Sequence, residues 1–450
     1  MRGYDRGKHL RGDLLGGVTV TAYLVPQVLA YSTLAGMPPQ SGLWAIIVTL
    51  PLYAMFGTSR LLSMGPESTT ALLTAAVIGP LVVADTGRYI ALAATLAMLV
   101  GLIAAVAWAL RLGFLADLLS KPILVGYMAG VAVIMIGSQL GKSTGVTVAG
   151  DTFEEMLKSF VSNLPTSGLH VPTALIAASV VAVLLLFGGR FPRVPMPLVA
   201  VLGAAAIVAV FGLQNIGVEV IGAVPSALPQ VALPSIDLAN IRTLVLPAVG
   251  IVIVGYADVV LAGRAFAIRH HHRIGNNQEL LAFAAGNVGA SVVGGYPIST
   301  STSRSVIAEA SGARTQVFSL VATAGVLIVL LLLGNLMGCF PAAALGGLVI
   351  YAAFMLIDIG EFRRLWHFRH REFLLAVAAL AGVLLFNILY GVLIAIALSV
   401  AELLVRVARP HEAVLGQVPG LAGWHGIAKL RHRPPRRPWQ PTGKCRHGAR

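Results

Sequence analysis

Long apolar runs separated by short polar stretches dominate the chain. Ile90–Leu110, Leu169–Phe187, Leu320–Leu333 and Phe373–Phe386 are almost free of charge. Several of these runs approach the roughly 20 residues needed to cross a hydrocarbon core about 30 Å thick. Lipid offers the backbone no hydrogen-bond partner, so such runs must satisfy themselves as helices. The pattern predicts 14 segments, at 14–34, 40–56, 66–83, 89–110, 121–140, 169–188, 197–212, 243–263, 278–293, 298–310, 316–334, 342–357, 372–388 and 390–407. The expected fold class is an all-α membrane protein with 14 transmembrane segments. Residues 1–13 then form the N-terminus, 14–407 the transmembrane domain and 408–450 a tail.

Charge gives the expected orientation. With the N-terminus (Arg2, Arg6, Lys8, Arg11) inside, the other inner segments carry Arg60, Arg111, Lys121, Arg190, Arg193, Arg264, Arg269, Arg273, Arg314, Arg363, Arg364, Arg369 and Arg371. The outer segments hold Arg88, Lys142, Lys158 and Arg242. This asymmetry follows the positive-inside rule, and an even segment count puts both termini in the cytoplasm. The net charge of +14 is therefore mostly topology and tail, and requires no nucleic-acid partner. A composition of 57% hydrophobic and 11% charged residues excludes an ordinary soluble globule, which carries roughly 25% charged residues. The first apolar run contains Pro26 and Gln27 and has no clean small-residue cleavage site, so no cleavable leader is expected. Cys339 and Cys445 fall on opposite sides of the membrane in this topology, which excludes a disulfide between them.

A faint repeat appears at an offset of 231 residues. Ser63-Met-Gly-Pro-Glu-Ser68 aligns with Gly294-Gly-Tyr-Pro-Ile-Ser299, and Gln27 in the first segment aligns with Asp258 in the eighth. Two halves of seven segments, about 14–212 and 243–407, would be inverted relative to each other in the membrane. At both matched places Gly and Pro interrupt an apolar region, and a hydroxyl-rich helix start follows: Glu67-Ser68-Thr69-Thr70, and Ser299-Thr-Ser-Thr302-Ser303-Arg304-Ser305. Pro suits the first turn of a helix, and Ser or Thr its N-cap. Segments 3 and 10 are therefore expected to be half-helices that start inside the membrane and aim their positive ends at a midplane anion site. The alternative is a polar helix interface with its hydroxyls bonded to backbone.

Arg304 is an intramembrane cation, costly unless paired or hydrated. It either supplies a fixed positive charge at the half-helix or pairs with Glu67 or Asp258. Asp258, in apolar surroundings, fits a residue that couples transport to H⁺ or Na⁺, or a passive partner. Glu67 suits a helix start but repels an anion, so it is either protonated in the cycle or faces away. Arg269-His-His-His-Arg273 looks like a metal tract, yet it lies in a loop where positive charge is expected anyway. No Walker sequence, nucleophile elbow or soluble paired-carboxylate arrangement is present. The expectation is a transporter and not an enzyme, driven by a gradient or by exchange, with no cofactor and no metal.

Val25-Pro-Gln-Val-Leu-Ala-Tyr31, Leu34-Ala-Gly-Met-Pro-Pro39, Gly57-Thr-Ser-Arg60 with Gly65-Pro66, Ser299–Ser305 and Gly312-Ala-Arg-Thr315 closely resemble the signature of the SulP (solute carrier 26) anion transporters, over roughly residues 10–410. The resemblance implies a 7+7 inverted repeat with a core and a gate domain, a homodimer, and an anion site between segments 3 and 10. It places Ser303 and Arg304 against the anion, with Gln27 and Tyr31 beside it and Asp258 as the acid linked to cation coupling. Glu67, Ser68, Thr69 and Thr302 complete the expected substrate-binding set. Sodium-coupled members carry a hydroxyl one turn after that acid. Ala262 stands there in this chain, which favours H⁺ over Na⁺. Most members continue into a cytoplasmic STAS domain. Here Arg409–Gly423 looks like the approach to it, but the chain turns to Arg, His and Pro, so the STAS domain is expected to be missing, with either a truncated or frame-shifted end or a disordered basic tail resting on anionic lipid. The expected function is secondary transport of small inorganic anions, with sulfate leading, across a cell (inner) membrane. The alternatives are a bicarbonate or C4-dicarboxylate carrier, an anion channel, or a nucleobase carrier on the same plan.

Overall fold

The computed structural model describes residues 6–408 apart from 83–84, 115–119, 151, 192–193, 223, 226, 230–237, 271 and 387, together with 415–417 and 424–426. The helices in chain order are α1 (Arg6–Leu34), α2 (Pro39–Phe56), α3 (Ser68–Ile78), α4 (Thr86–Ala109), α5 (Lys121–Thr144), α6 (Phe153–Ser167), α7 (Val171–Phe187), α8 (Met196–Val210) and α9 (Leu238–Arg269). They continue as α10 (Asn276–Val292), α11 (Thr302–Ala310), α12 (Val317–Leu332), α13 (Gly334–Gly338), α14 (Ala342–Leu356), α15 (Ile359–Phe368), α16 (His370–Phe386) and α17 (Ile388–Ala408). Each predicted segment overlaps a helix. Among the described residues, six stretches are long and apolar enough to cross a membrane by themselves, including His9–Leu34, Lys121–Thr144 and Asn240–Arg269.

The differences from the sequence reading are local. α1 begins at Arg6 and not at residue 14, because its first turns are anchored. Asp13 is fully buried and accepts hydrogen bonds from the Arg314 N–H (2.7 Å), the Thr315 N–H (3.0 Å) and the Thr315 hydroxyl (2.6 Å). α6, α13 and α15 lie between the predicted segments. α6 opens with a Thr152–Glu155 capping box, a start signal that a search for apolar runs passes over. Within 408–450, Leu415–Gln417 pairs antiparallel with Trp424–Gly426. The remainder of the expected disordered tail, and the question of a STAS domain, lie outside the described residues.

The most consequential difference concerns the polar stretch before α11. Ser299–Ser301 is a strand, β2, and the helix starts only at Thr302 with Ser301 as its N-cap. It pairs antiparallel with β1 (Ser63–Gly65), matching Ser63 to Ser301, Met64 to Thr300 and Gly65 to Ser299. Where helices are interrupted at membrane depth, freed backbone groups need partners within the protein, and these two strands supply them to each other. Ser68 opens its helix while Ser299 opens a strand, three residues ahead of Thr302. An offset of 231 therefore falls three residues short of superposing the two helix starts.

Two groups of helices assemble around these elements. α4 packs on α10 and α9, and α12 packs on α2 and α1; α5, α7, α14 and α16 pack among themselves, and α1 meets α8 and α14. Close approach depends on small residues. A Cβ on Gly126 of α5 would stand 1.9 Å from the Ala376 carbonyl of α16, so this contact requires glycine. Glu279 at the start of α10 is fully buried and accepts from the Tyr53 hydroxyl (2.9 Å), the Thr58 N–H (2.7 Å) and hydroxyl (2.5 Å) and the Ser59 N–H (3.0 Å). Gln316 then donates to the Ser59 and Leu62 carbonyls, both at 2.9 Å, which ties the start of α12 to the loop leading into β1.

Candidate functional site

α3 has 11 residues and α11 has nine, so at 1.5 Å per residue they extend about 17 and 14 Å, each close to half a bilayer. Joined start to start through β1 and β2, they enclose one end of a cavity of about 630 Å³. Five further helices complete its walls, α8 through Pro197 alone. α1 contributes Tyr23, Gln27 and Tyr31, spaced four residues apart and hence on one face. α9 contributes Asp258, Leu261 and Ala262, α5 an apolar face through Leu124 and Met128, and α14 a face that includes Tyr351. β2 is held to α9 by the Ser299 hydroxyl, which donates to the Gly255 carbonyl at 2.9 Å, one turn before Asp258.

Eight of the nine residues singled out from sequence meet at this cavity: Gln27, Tyr31, Glu67, Ser68, Thr69, Asp258, Thr302 and Ser303 all line it. Thr302 and Ser303 expose their side chains there. Asp258 is half-buried and forms no hydrogen bond or ion pair among the described residues. Glu67 is also half-buried and is the N-cap of α3, its carboxylate accepting from the Thr69 N–H at 2.7 Å and from the Ser68 hydroxyl.

Arg304 is the ninth, and it stands behind the wall. Its side chain is fully buried and crosses the strand pair to the opposite half-helix. There Nη1 donates to the Pro66 carbonyl at 2.8 Å and to the Gln27 amide oxygen at 3.4 Å, and Nε donates to the Ser63 hydroxyl at 3.3 Å. Gln27 in turn donates to the Tyr31 hydroxyl at 3.0 Å. These partners are carbonyl, amide and hydroxyl oxygens, so neither carboxylate proposed from sequence neutralises the guanidinium by contact. Nη2 is buried without a partner among the described residues. Arg304 thus clamps the start of α3 and supplies a positive charge one layer behind the cavity. Glu67, Tyr31, Tyr23 and Tyr296 lie within its electrostatic reach.

Tyr23, Thr300 and Ser301 line the cavity without having been singled out. For Tyr23 the signal was available, since it precedes Gln27 by one helical turn. Thr300 and Ser301 depend on a strand that no periodicity announces. At the far end the cavity reaches Lys121 and Asp358, both exposed. Lys121 Nζ there lies 3.0 Å from Glu361 Oε1. The histidine tract takes a structural part. His270 Nε2 meets Glu309 Oε1 at 2.6 Å and Arg269 reaches the same carboxylate at 3.4 Å, joining the end of α9 to the end of α11.

Residues 10–379 match the sulfate permease family. The chain belongs to that family. Its members are transporters and not enzymes, and the apolar helices of this chain fit a multi-pass membrane protein. The chain is 50% identical to a probable sulfate transporter of Mycobacterium tuberculosis, over 95% of its own length and 76% of that protein. It is 31% identical to human solute carrier family 26 member 6, over 93% of its length and 58% of that protein. Among solved structures, SLC26A9 superposes with a TM-score of 0.83 over 95% of this chain and 70% of that one, at 22% identity. The transmembrane domain of the cyanobacterial bicarbonate transporter BicA superposes with a TM-score of 0.76 over 87% and 97%, at 25% identity.

Proposed function

We propose that the chain is a secondary carrier of small inorganic anions, sulfate foremost, working by alternating access from the cavity between α3 and α11. The observation that carries this reading is the convergence of two half-helix starts, with their hydroxyls, on one cavity backed by a buried guanidinium. Helix N-termini favour anions through the dipole and free N–H groups. Ser68, Thr69, Thr302 and Ser303 present donors suited to oxygen atoms, and Arg304 sets the sign of the field. The names of the relatives support sulfate. The fold shared with a protein named as a bicarbonate transporter keeps bicarbonate as the second reading.

The 7+7 inverted repeat is part of the proposal. Its support is reciprocal packing: α4 lies on α9 and α10 of the second half, as α12 lies on α1 and α2 of the first. In the orientation set by basic residues, Lys121 and Asp358 are cytoplasmic, so the cavity opens inward. On the outer side, Lys142 of α5 donates to the Thr33 carbonyl of α1 at 3.1 Å, and Trp44 of α2 donates to the Ala227 carbonyl at 3.1 Å. Asp258, unpartnered on the wall, is the cation-coupling residue. Proton coupling is favoured over sodium because Ala262, one turn on, offers no side-chain oxygen. The carrier works as a homodimer in the cell membrane with both termini inside.

The test is uptake of radiolabelled sulfate into proteoliposomes, with bicarbonate and fumarate as competitors. Saturable uptake displaced best by unlabelled sulfate is expected. A conductance that rises without saturation would instead assign a channel, and stronger displacement by bicarbonate would change the substrate.

A further inference from the structure

The two half-helices are chemically unequal at their starts. α11 is capped by a neutral hydroxyl, Ser301 Oγ accepting from the Arg304 N–H at 3.4 Å, and its next two side chains stand open to the cavity. α3 is capped by a carboxylate. Glu67 holds the Thr69 N–H at 2.7 Å and the Ser68 hydroxyl, which are the donors an entering anion would seek at that helix end. A carboxyl group is therefore already seated there, tethered to the chain. The cavity wall as a whole adds to the difficulty: it carries Glu67, Asp258 and Asp358 against Lys121, with Arg304 buried behind it and Nη2 unpartnered.

We propose that Glu67 is a built-in competitor for the transported anion, and that one proton placed on Glu67 releases the Ser68–Thr69 donors to it. An ionised carboxylate is acceptor-only, whereas the protonated acid is a donor. A single proton thus turns the group from a rival into a ligand. No C–O bond is made or broken: the proton enters from solvent through the cavity when the anion binds and returns to the cavity when the anion leaves. The groups facing Glu67 are Asp258 of α9, Arg304 of α11, Tyr31 of α1, Tyr127 of α5, and Tyr296 just before β2. Asp258 is the other carboxylate among them and hence the rival seat for the proton. The inference rests on the anion-carrier reading and deepens it by assigning the proton that accompanies binding.

The experiment is calorimetric titration of sodium sulfate into the full chain in lipid nanodiscs. It is run from about pH 5.5 to 8 in buffers of different ionisation enthalpy, which counts protons exchanged on binding. The wild type is expected to take up about one proton per sulfate, and its affinity to fall toward tenfold per pH unit as pH rises. Glu67→Gln is expected to take up none, to lose the pH dependence and to bind more tightly than wild type at alkaline pH. Sulfate binding to the wild type without proton uptake overturns the proposal. So does uptake that survives in Glu67→Gln. The wild-type count stands even if Glu67→Gln does not fold. Absence of sulfate binding to the wild type at every pH overturns the anion-site reading itself, and this inference with it.

Discussion

Arg304 holds a full charge with no exposure, against a backbone carbonyl, an amide and a hydroxyl. Its removal leaves the Pro66 carbonyl and the Ser63 hydroxyl buried without that donor, at a cost of about 1–3 kcal/mol for each unsatisfied group. Arg304→Ala is accordingly expected to lower the melting temperature and to weaken sulfate binding more than about tenfold, equivalent to 1.4 kcal/mol. Arg304→Lys keeps the charge but not the planar fork, so it should recover part of the affinity and little of the stability. Thermal melting and calorimetry on both variants separate the two contributions; unchanged affinity in Arg304→Ala would remove the charge from the site's function. Asp258→Asn is expected to abolish proton-driven accumulation while leaving sulfate exchange intact, read as uptake with and without an imposed pH gradient. The sequence exposed both residues for one reason, that a charge within an apolar run needs explaining. It did not show that Arg304 points away from the cavity. That depends on the helix starting at Thr302, after a strand, and not at Ser299.

Strands of three residues have no period to read, and β1 and β2 pair across more than two hundred residues of chain. They were therefore invisible in the pattern that located every apolar helix. The same holds for the buried carboxylates Asp13 and Glu279, which the sequence presents as ordinary acids near segment ends but which the structure uses to pin loops. Glu279 satisfies two backbone N–H groups and two hydroxyls. Glu279→Ala strips all four of their acceptor and should cost about 3 kcal/mol or more. The expected readout is a large drop in melting temperature, with sulfate affinity preserved in the fraction that stays folded. A melting temperature near that of the wild type would mean that the Thr58–Ser59 loop finds other partners.

The arrangement of the whole chain was legible in coarse form because lipid leaves the backbone so few choices: apolar runs of the right length must be helices. What could not be read was which end of the cavity is open, since that is a property of packing between the helix groups. Lys121 and Asp358 mark the open end, while Lys142 bonded to Thr33 lies at the other end of α5. Lys121→Cys, with Cys339 and Cys445 replaced by Ser, is expected to react with an impermeant maleimide applied from the cytoplasmic side. Reaction confined to the outer side would reverse the orientation. Coupled carriage of an anion through the α3–α11 cavity is tested by concentrative uptake. Proteoliposomes of the wild-type chain, loaded without sulfate, would be given labelled sulfate and a sudden inward proton gradient. Accumulation above the outside concentration is expected, collapsing with a protonophore and lost in Asp258→Asn. Sulfate that merely equilibrates, at the same rate with or without the gradient, would contradict it.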